Sequence, residues 1–121
     1  MPRVEADLEP VLTAVRAAGS KKAQELTLLD LREVTSFTEY FLICTALNQR
    51  QSQAICDEIH VTMKERGNLP LGVEGYENAE WILMDYGDFI VHVFSEKARE
   101  FYNLERLWKA AREVELPAGL A

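Results

Sequence analysis

The chain has 121 residues, 48% hydrophobic and 27% charged, which suits one globular domain with one core and excludes collagen-like and disordered classes. Twenty acidic residues against thirteen basic ones give a formal charge of -7, which opposes direct DNA or RNA binding and favours encounter with a basic protein. The longest nearly apolar runs, such as Tyr40 to Leu47, reach less than half of the roughly 20 residues a spanning helix needs, so no membrane partner is expected.

Acids at Glu5, Asp7 and Glu9 are unlike a signal or transit peptide, and the N-terminus reads as mature protein. Apolar residues at Val4, Leu8, Val11, Leu12, Val15 and Ala18 recur at helical spacing and predict a first helix over 4–18, stopped at Gly19. Pro10 either kinks it or moves its start to about Glu9. Leu26 to Val34 and Tyr40 to Leu47 read as buried strands, joined by a turn at Thr35-Ser36-Phe37-Thr38. Cys44 and Cys56 lie in apolar segments with no CxxC, which predicts two buried thiols and a reducing, cytoplasmic setting.

Asn48 is placed to cap a helix running through Gln51, Ala54, Ile55, Ile59 and Met63 and closed by Arg66 and Gly67. Such a helix can join two parallel strands by a right-handed crossover. After a loop over 67–79, Trp81 to Tyr86 and Asp88 to Ser95 predict a hairpin around Gly87. Glu96 to Arg112, with apolar residues at Phe101, Leu104, Leu107 and Trp108, reads as helical, in one or two pieces. The expected class is α/β (α+β), a single domain over 1–121 with a mixed sheet of four to five strands flanked by helices.

Pairing Asp85 with Asp88 across the turn sets Trp81 opposite His92. One face of the hairpin is then apolar (Ile82, Met84, Phe89, Val91, Val93), and the other carries Trp81, Leu83, Asp85, Asp88, Ile90 and His92. A tryptophan among carboxylates and an imidazole is a common make-up for a protein-binding surface. The competing possibility, about equally weighted, is that a helix covers it.

Signals for chemistry are weak. Cys56 and His60, four apart on one helix, could share a metal only with two further ligands, and a buried thiol beside a capped or exposed histidine is the favoured state. Asp85 and Asp88, with Glu74, form the acidic group that could serve a nucleotide- or metal-dependent enzyme, but no nucleophile, phosphate loop or positioned base accompanies them. Gly72-Val73-Glu74-Gly75 reads as a shaped loop. Arg50, in the first turn of the second helix, is either solvated or a contact to a carboxylate or phosphate. No cofactor, metal or catalytic residue is assigned.

The stretches Thr35-Ser36-Phe37-Thr38-Glu39-Tyr40-Phe41, Arg50-Gln51, Glu74-Gly75, Trp81, Asp85-Tyr86-Gly87-Asp88, Val91-His92-Val93-Phe94 and Arg99-Glu100-Phe101-Tyr102-Asn103-Leu104-Glu105-Arg106-Leu107-Trp108 occur in this order. The series resembles the ribosomal silencing factor, or Iojap, family, with a core over about 25–112. The resemblance implies a nucleotidyltransferase-like fold without that fold's catalytic signature, a homodimer, and no enzymatic activity. It further implies binding to ribosomal protein L-fourteen on the large subunit, which prevents joining of the small subunit and represses translation under nutrient limitation. Carried over residue by residue, Trp81, Asp85, Tyr86, Asp88, Glu74, His92 and Arg50 become the partner-binding set. Glu39 stands where the family usually has Asp, and Ala46-Leu47-Asn48 replaces its more usual Gly-x-Ser.

Overall fold

A computed structural model describes residues 2–117, with side chains described from Leu8 onward. The elements run α1 (Pro2–Ser20), β1 (Gln24–Asp30), β2 (Tyr40–Ala46), α2 (Gln49–Glu65), β3 (Gly72–Glu74), β4 (Trp81–Asp85), β5 (Phe89–Ser95), α3 (Glu96–Tyr102), α4 (Leu104–Leu107) and β6 (Arg112–Val114). Pro10 lies inside α1, so the helix does not begin at Glu9, and it ends one residue past Gly19. The expected core contact of Val4 falls outside the described side chains.

The six strands form one sheet in the order β3-β4-β5-β2-β1-β6. β2 and β5 run parallel and every other neighbouring pair is antiparallel, so the sheet is mixed. Its strand count corrects the expected four to five. The additions are β3 and β6, each of 3 residues and each at an edge, too short for an alternating pattern to show. β1 is also shorter than expected, because Asp30 turns the chain. Its carboxylate accepts from the Arg32 backbone N–H at 3.0 Å and from the Arg32 guanidinium at 3.0 and 2.7 Å.

β2 is buried along its whole length, as a continuous apolar run in a central strand should be. On one side of the sheet, Val11, Ala14 and Val15 of α1 and Ile55, Ile59 and Met63 of α2 pack over Leu28, Leu42, Ile82, Met84, Val91 and Val93. Each such side chain contributes roughly 1.5–3 kcal/mol when fully buried. The other side holds a smaller core, in which Ala98 and Leu104 cover Leu29, Leu31, Phe41, Ile43 and Phe94. α2 starts where expected: the Asn48 carboxamide oxygen accepts from the Gln51 N–H at 2.8 Å.

The hairpin is real but its register differs from the expected one. Trp81 pairs with Phe94, Leu83 with His92 and Asp85 with Ile90. The turn closes through the Tyr86 N–H donating to the Phe89 carbonyl at 2.9 Å, with Gly87 at φ 86 and Asp88 inside the turn. The Asp85 carboxylate accepts from the Gly87 N–H at 2.8 Å, so Asp85 braces the turn and does not face Asp88. Because the displacement is two residues, each side chain keeps its expected face.

The last helical stretch breaks at Asn103, which adopts left-handed φ 47, ψ 60 and donates its N–H to the Arg99 carbonyl at 2.9 Å. Helix ends by Leu107, and Arg112 belongs to β6. Arg99 fastens this unit to the sheet: its guanidinium pairs with Glu105 and donates to the Glu25 carbonyl at 2.8 Å, the Thr45 hydroxyl at 2.9 Å and the Thr27 hydroxyl at 3.1 Å.

Candidate protein-binding face

Trp81 opens β4 on the face away from α1 and α2, half-buried. Its indole N–H donates to His92 Nδ1 at 3.1 Å, and its ring lies 4.6 Å from Tyr102 and 5.0 Å from Phe94 between centroids. His92 is only 3% exposed. Burial pushes its pKa down to about 3, so the ring is neutral, and since Nδ1 accepts, the proton sits on Nε2. Nε2 has no hydrogen-bond partner among the described residues, and Phe41 stands edge-on to the imidazole at 4.5 Å. The indole is therefore held at one end by a hydrogen bond and along its plane by two aromatic rings.

From Trp81 the same face continues through half-buried Leu83 and Asp85 on β4 and half-buried Ile90 on β5. Trp81 and Asp85 are four residues apart, roughly 13 Å along the strand. Glu74 of β3 pairs with Leu83 and is exposed, which adds a second carboxylate to this face. The structure thus brings Trp81, Asp85, Glu74 and His92 together on one side of the sheet. A partly exposed indole with aliphatic neighbours and acids on the margin has the composition of a protein-binding surface.

The other expected residues lie elsewhere. Tyr86 is buried on the helix-covered side, stacked on Phe89 at 5.0 Å, and burial pushes its phenol up to about 12. It supports the hairpin from beneath. Asp88 is exposed at the turn, where its carbonyl accepts from the Glu39 N–H at 2.9 Å, so residues 38–40 tie the turn down. Arg50 is exposed in the first turn of α2, at the sheet end where Trp81 begins β4.

Glu74, Asp85 and Asp88 sit on an edge strand, an inner strand and a turn. Among the described residues no group of three or more His, Cys, Asp or Glu is placed to hold a metal ion. Cys44 and Cys56 are free and buried, and burial pushes both thiols up to about 12, far from the thiolate state. No helix among the described residues is long and apolar enough to cross a membrane.

Two residues that position Trp81 escape sequence reasoning. Gly75 has φ 80, and a Cβ there would meet the Trp81 carbonyl oxygen at 2.1 Å, so the loop after β3 can lie against β4 only without a side chain. The Glu74-Gly75 pair was visible, but not which backbone it approaches. Tyr102, against the Trp81 ring, belongs to a stretch whose helical phase is reset at Asn103.

A family model described as "Ribosomal silencing factor during starvation" matches residues 5–120. A relative from Halalkalibacterium halodurans, named "Ribosomal silencing factor RsfS", is 42% identical over 103 residues, covering 85% of this chain and 88% of the relative. The maize protein named "Protein Iojap, chloroplastic" is 32% identical over 121 residues, covering 96% of this chain and 53% of that protein. A crystal structure of a protein from Chromobacterium violaceum superposes with a TM-score of 0.82 at 32% identity, covering 93% of both chains. A match running nearly end to end, in sequence and in fold, leaves one assignment: the chain belongs to the ribosomal silencing factor family.

Proposed function

We propose that this protein binds the large ribosomal subunit through its basic ribosomal protein L-fourteen and, while seated there, sterically prevents the small subunit from joining. Translation then falls under nutrient limitation. The observation that carries this reading is the Trp81 face, where an indole fixed by His92 and Tyr102 is bordered by Leu83, Ile90 and the carboxylates of Glu74 and Asp85. The net charge of -7 supports a basic partner, since attraction between opposite fields speeds encounter.

In this reading Trp81 is the anchor, and Glu74, Asp85 and Asp88 pair with basic side chains at the rim. His92 and Tyr86 hold the strands that present them, and Arg50 meets a carboxylate or phosphate beside the sheet end. The protein acts as a single-domain regulatory factor in the cytoplasm, as a homodimer when free, with no cofactor and no catalytic step. Titration calorimetry against purified L-fourteen tests the anchor. Trp81→Ala is expected to lose about 2 kcal/mol or more of binding free energy, as central aromatic anchors do. A wild-type affinity for that variant would remove Trp81 from the interface.

A further inference from the structure

β3 closes one edge of the sheet and has a neighbour on its β4 side only. All of its residues are exposed. The outer side of an edge strand carries backbone N–H and C=O groups that face no other strand, a ready template for one more. β3 is short, which limits pairing, but it carries no lysine to guard it, and apolar side chains stand open along it: Leu71 is 77% exposed, Leu69 59% and Val73 36%.

Residues directly opposite each other in a strand pair share a face. Val73 pairs with Met84, which belongs to the core beneath α1 and α2, while Glu74 pairs with Leu83 and Gly72 with Asp85, both on the Trp81 face. A strand laid along β3 would therefore meet an aliphatic margin on one side of the sheet and a carboxylate margin on the other. A Cβ at Gly72 would meet nothing within 4 Å, so the carboxylate margin has room. Charge then selects the occupant. From Gly67 to Ser95 the chain has five acids (Glu74, Glu77, Glu80, Asp85, Asp88) and no Lys or Arg. Two copies meeting edge to edge would set these acids against one another, whereas a cationic segment complements them.

We propose that the basic ribosomal partner contributes an extended segment that adds beyond β3 as a seventh strand, held by main-chain hydrogen bonds to the free edge. Because side chains alternate along a strand, that segment carries apolar residues on the Val73 side and Lys or Arg on the Glu74 side. This inference rests on the ribosomal reading above and deepens it: Trp81 anchors the partner, and the added strand fixes its register on the sheet.

Hydrogen–deuterium exchange of the full chain tests the added strand, read on residues 72–74 for the chain alone, with purified L-fourteen and with large subunits. In either saturated complex exchange there should slow at least about tenfold, because amides paired with a partner exchange only when the pairing opens. Leu71→Lys with Val73→Lys should keep the wild-type thermal midpoint, since both side chains are open to solvent, and bind L-fourteen at least about tenfold more weakly. Val34→Lys with Val61→Lys, which adds the same charge at exposed positions away from the edge, should stay within about threefold of wild type. Saturated binding of L-fourteen with unchanged exchange at 72–74 would overturn the added strand and leave the ribosomal reading standing. Equal weakening by the two lysine pairs would overturn it as well, by showing a charge effect without a site. Protection that grows with concentration in the chain alone would give the edge to a second copy and also overturn it. Protection by large subunits without binding of free L-fourteen would uphold the added strand and assign it to another basic protein of the subunit. Binding to neither would overturn both readings.

Discussion

The orientation of Trp81 depends on a proton that His92 does not take up. Nδ1 can accept from the indole only while it is unprotonated, and burial keeps it so by pushing the imidazole pKa from 6.5 down to about 3. In the unfolded chain the same imidazole titrates near its ordinary value. Below about pH 6.5 the unfolded state therefore binds a proton that the folded state refuses, and stability falls as pH drops from about 6.5 toward 3, by at most about 1.4 kcal/mol per unit. The depressed carboxyl of Asp30, held low by Arg32, loses its contribution only below its ordinary 3.8, outside the upper part of this window. Urea denaturation at pH 7 and pH 5 should show wild type losing on the order of 2 kcal/mol more than His92→Gln, which keeps an acceptor but does not titrate. Equal losses in the two proteins would show that His92 is not the group refusing the proton.

At the scale of elements, what could be read in advance was whatever had length and period. The Asn48 cap, the buried run of β2 and the hairpin's division into an apolar and a mixed face follow from spacing alone, and the face division survives a two-residue error in register because side chains alternate with period two. Position along the strand was not readable, since it is set by where Asp85 and Gly87 close the turn. β3 and β6 were invisible because 3 residues carry no period, and β6 in addition pairs with β1, which is remote in sequence. The outward turn of Phe101 and Leu107 was hidden by the left-handed Asn103, which makes two short helices of one apparent pattern. Much of the mixed face was therefore legible, but not the elements that frame it. Gly75 shows how tightly they meet. Gly75→Ala must both hold a left-handed backbone and push β3 away from the Trp81 carbonyl, and should cost about 2 kcal/mol or more of folding stability. Gly67→Ala has φ 78 but nothing within 4 Å, so it should cost only about 1 kcal/mol. Equal thermal shifts for the two would mean that the loop does not press on β4.

Over the whole molecule, charge and shape divide the work. The helices α1 and α2 cover one side of the sheet and carry much of the core, while α3 and α4 cover only part of the other, leaving a face whose residues are neither wholly buried nor wholly polar. The acidic excess of the chain lies outside α3 and α4, which suits the rest of the surface to a basic partner. Membership of the ribosomal silencing factor family places the chain among proteins named for silencing the ribosome, and the mode of silencing proposed above is obstruction of subunit joining. Light scattering during association of purified small and large subunits measures that obstruction directly. Added wild-type protein should lower the yield of joined ribosomes in proportion to its occupancy of large subunits, and Trp81→Ala at the same concentration should leave the yield near that of subunits alone. Undiminished joining with saturating wild-type protein, or a block by Trp81→Ala as strong as that by wild type, would contradict it.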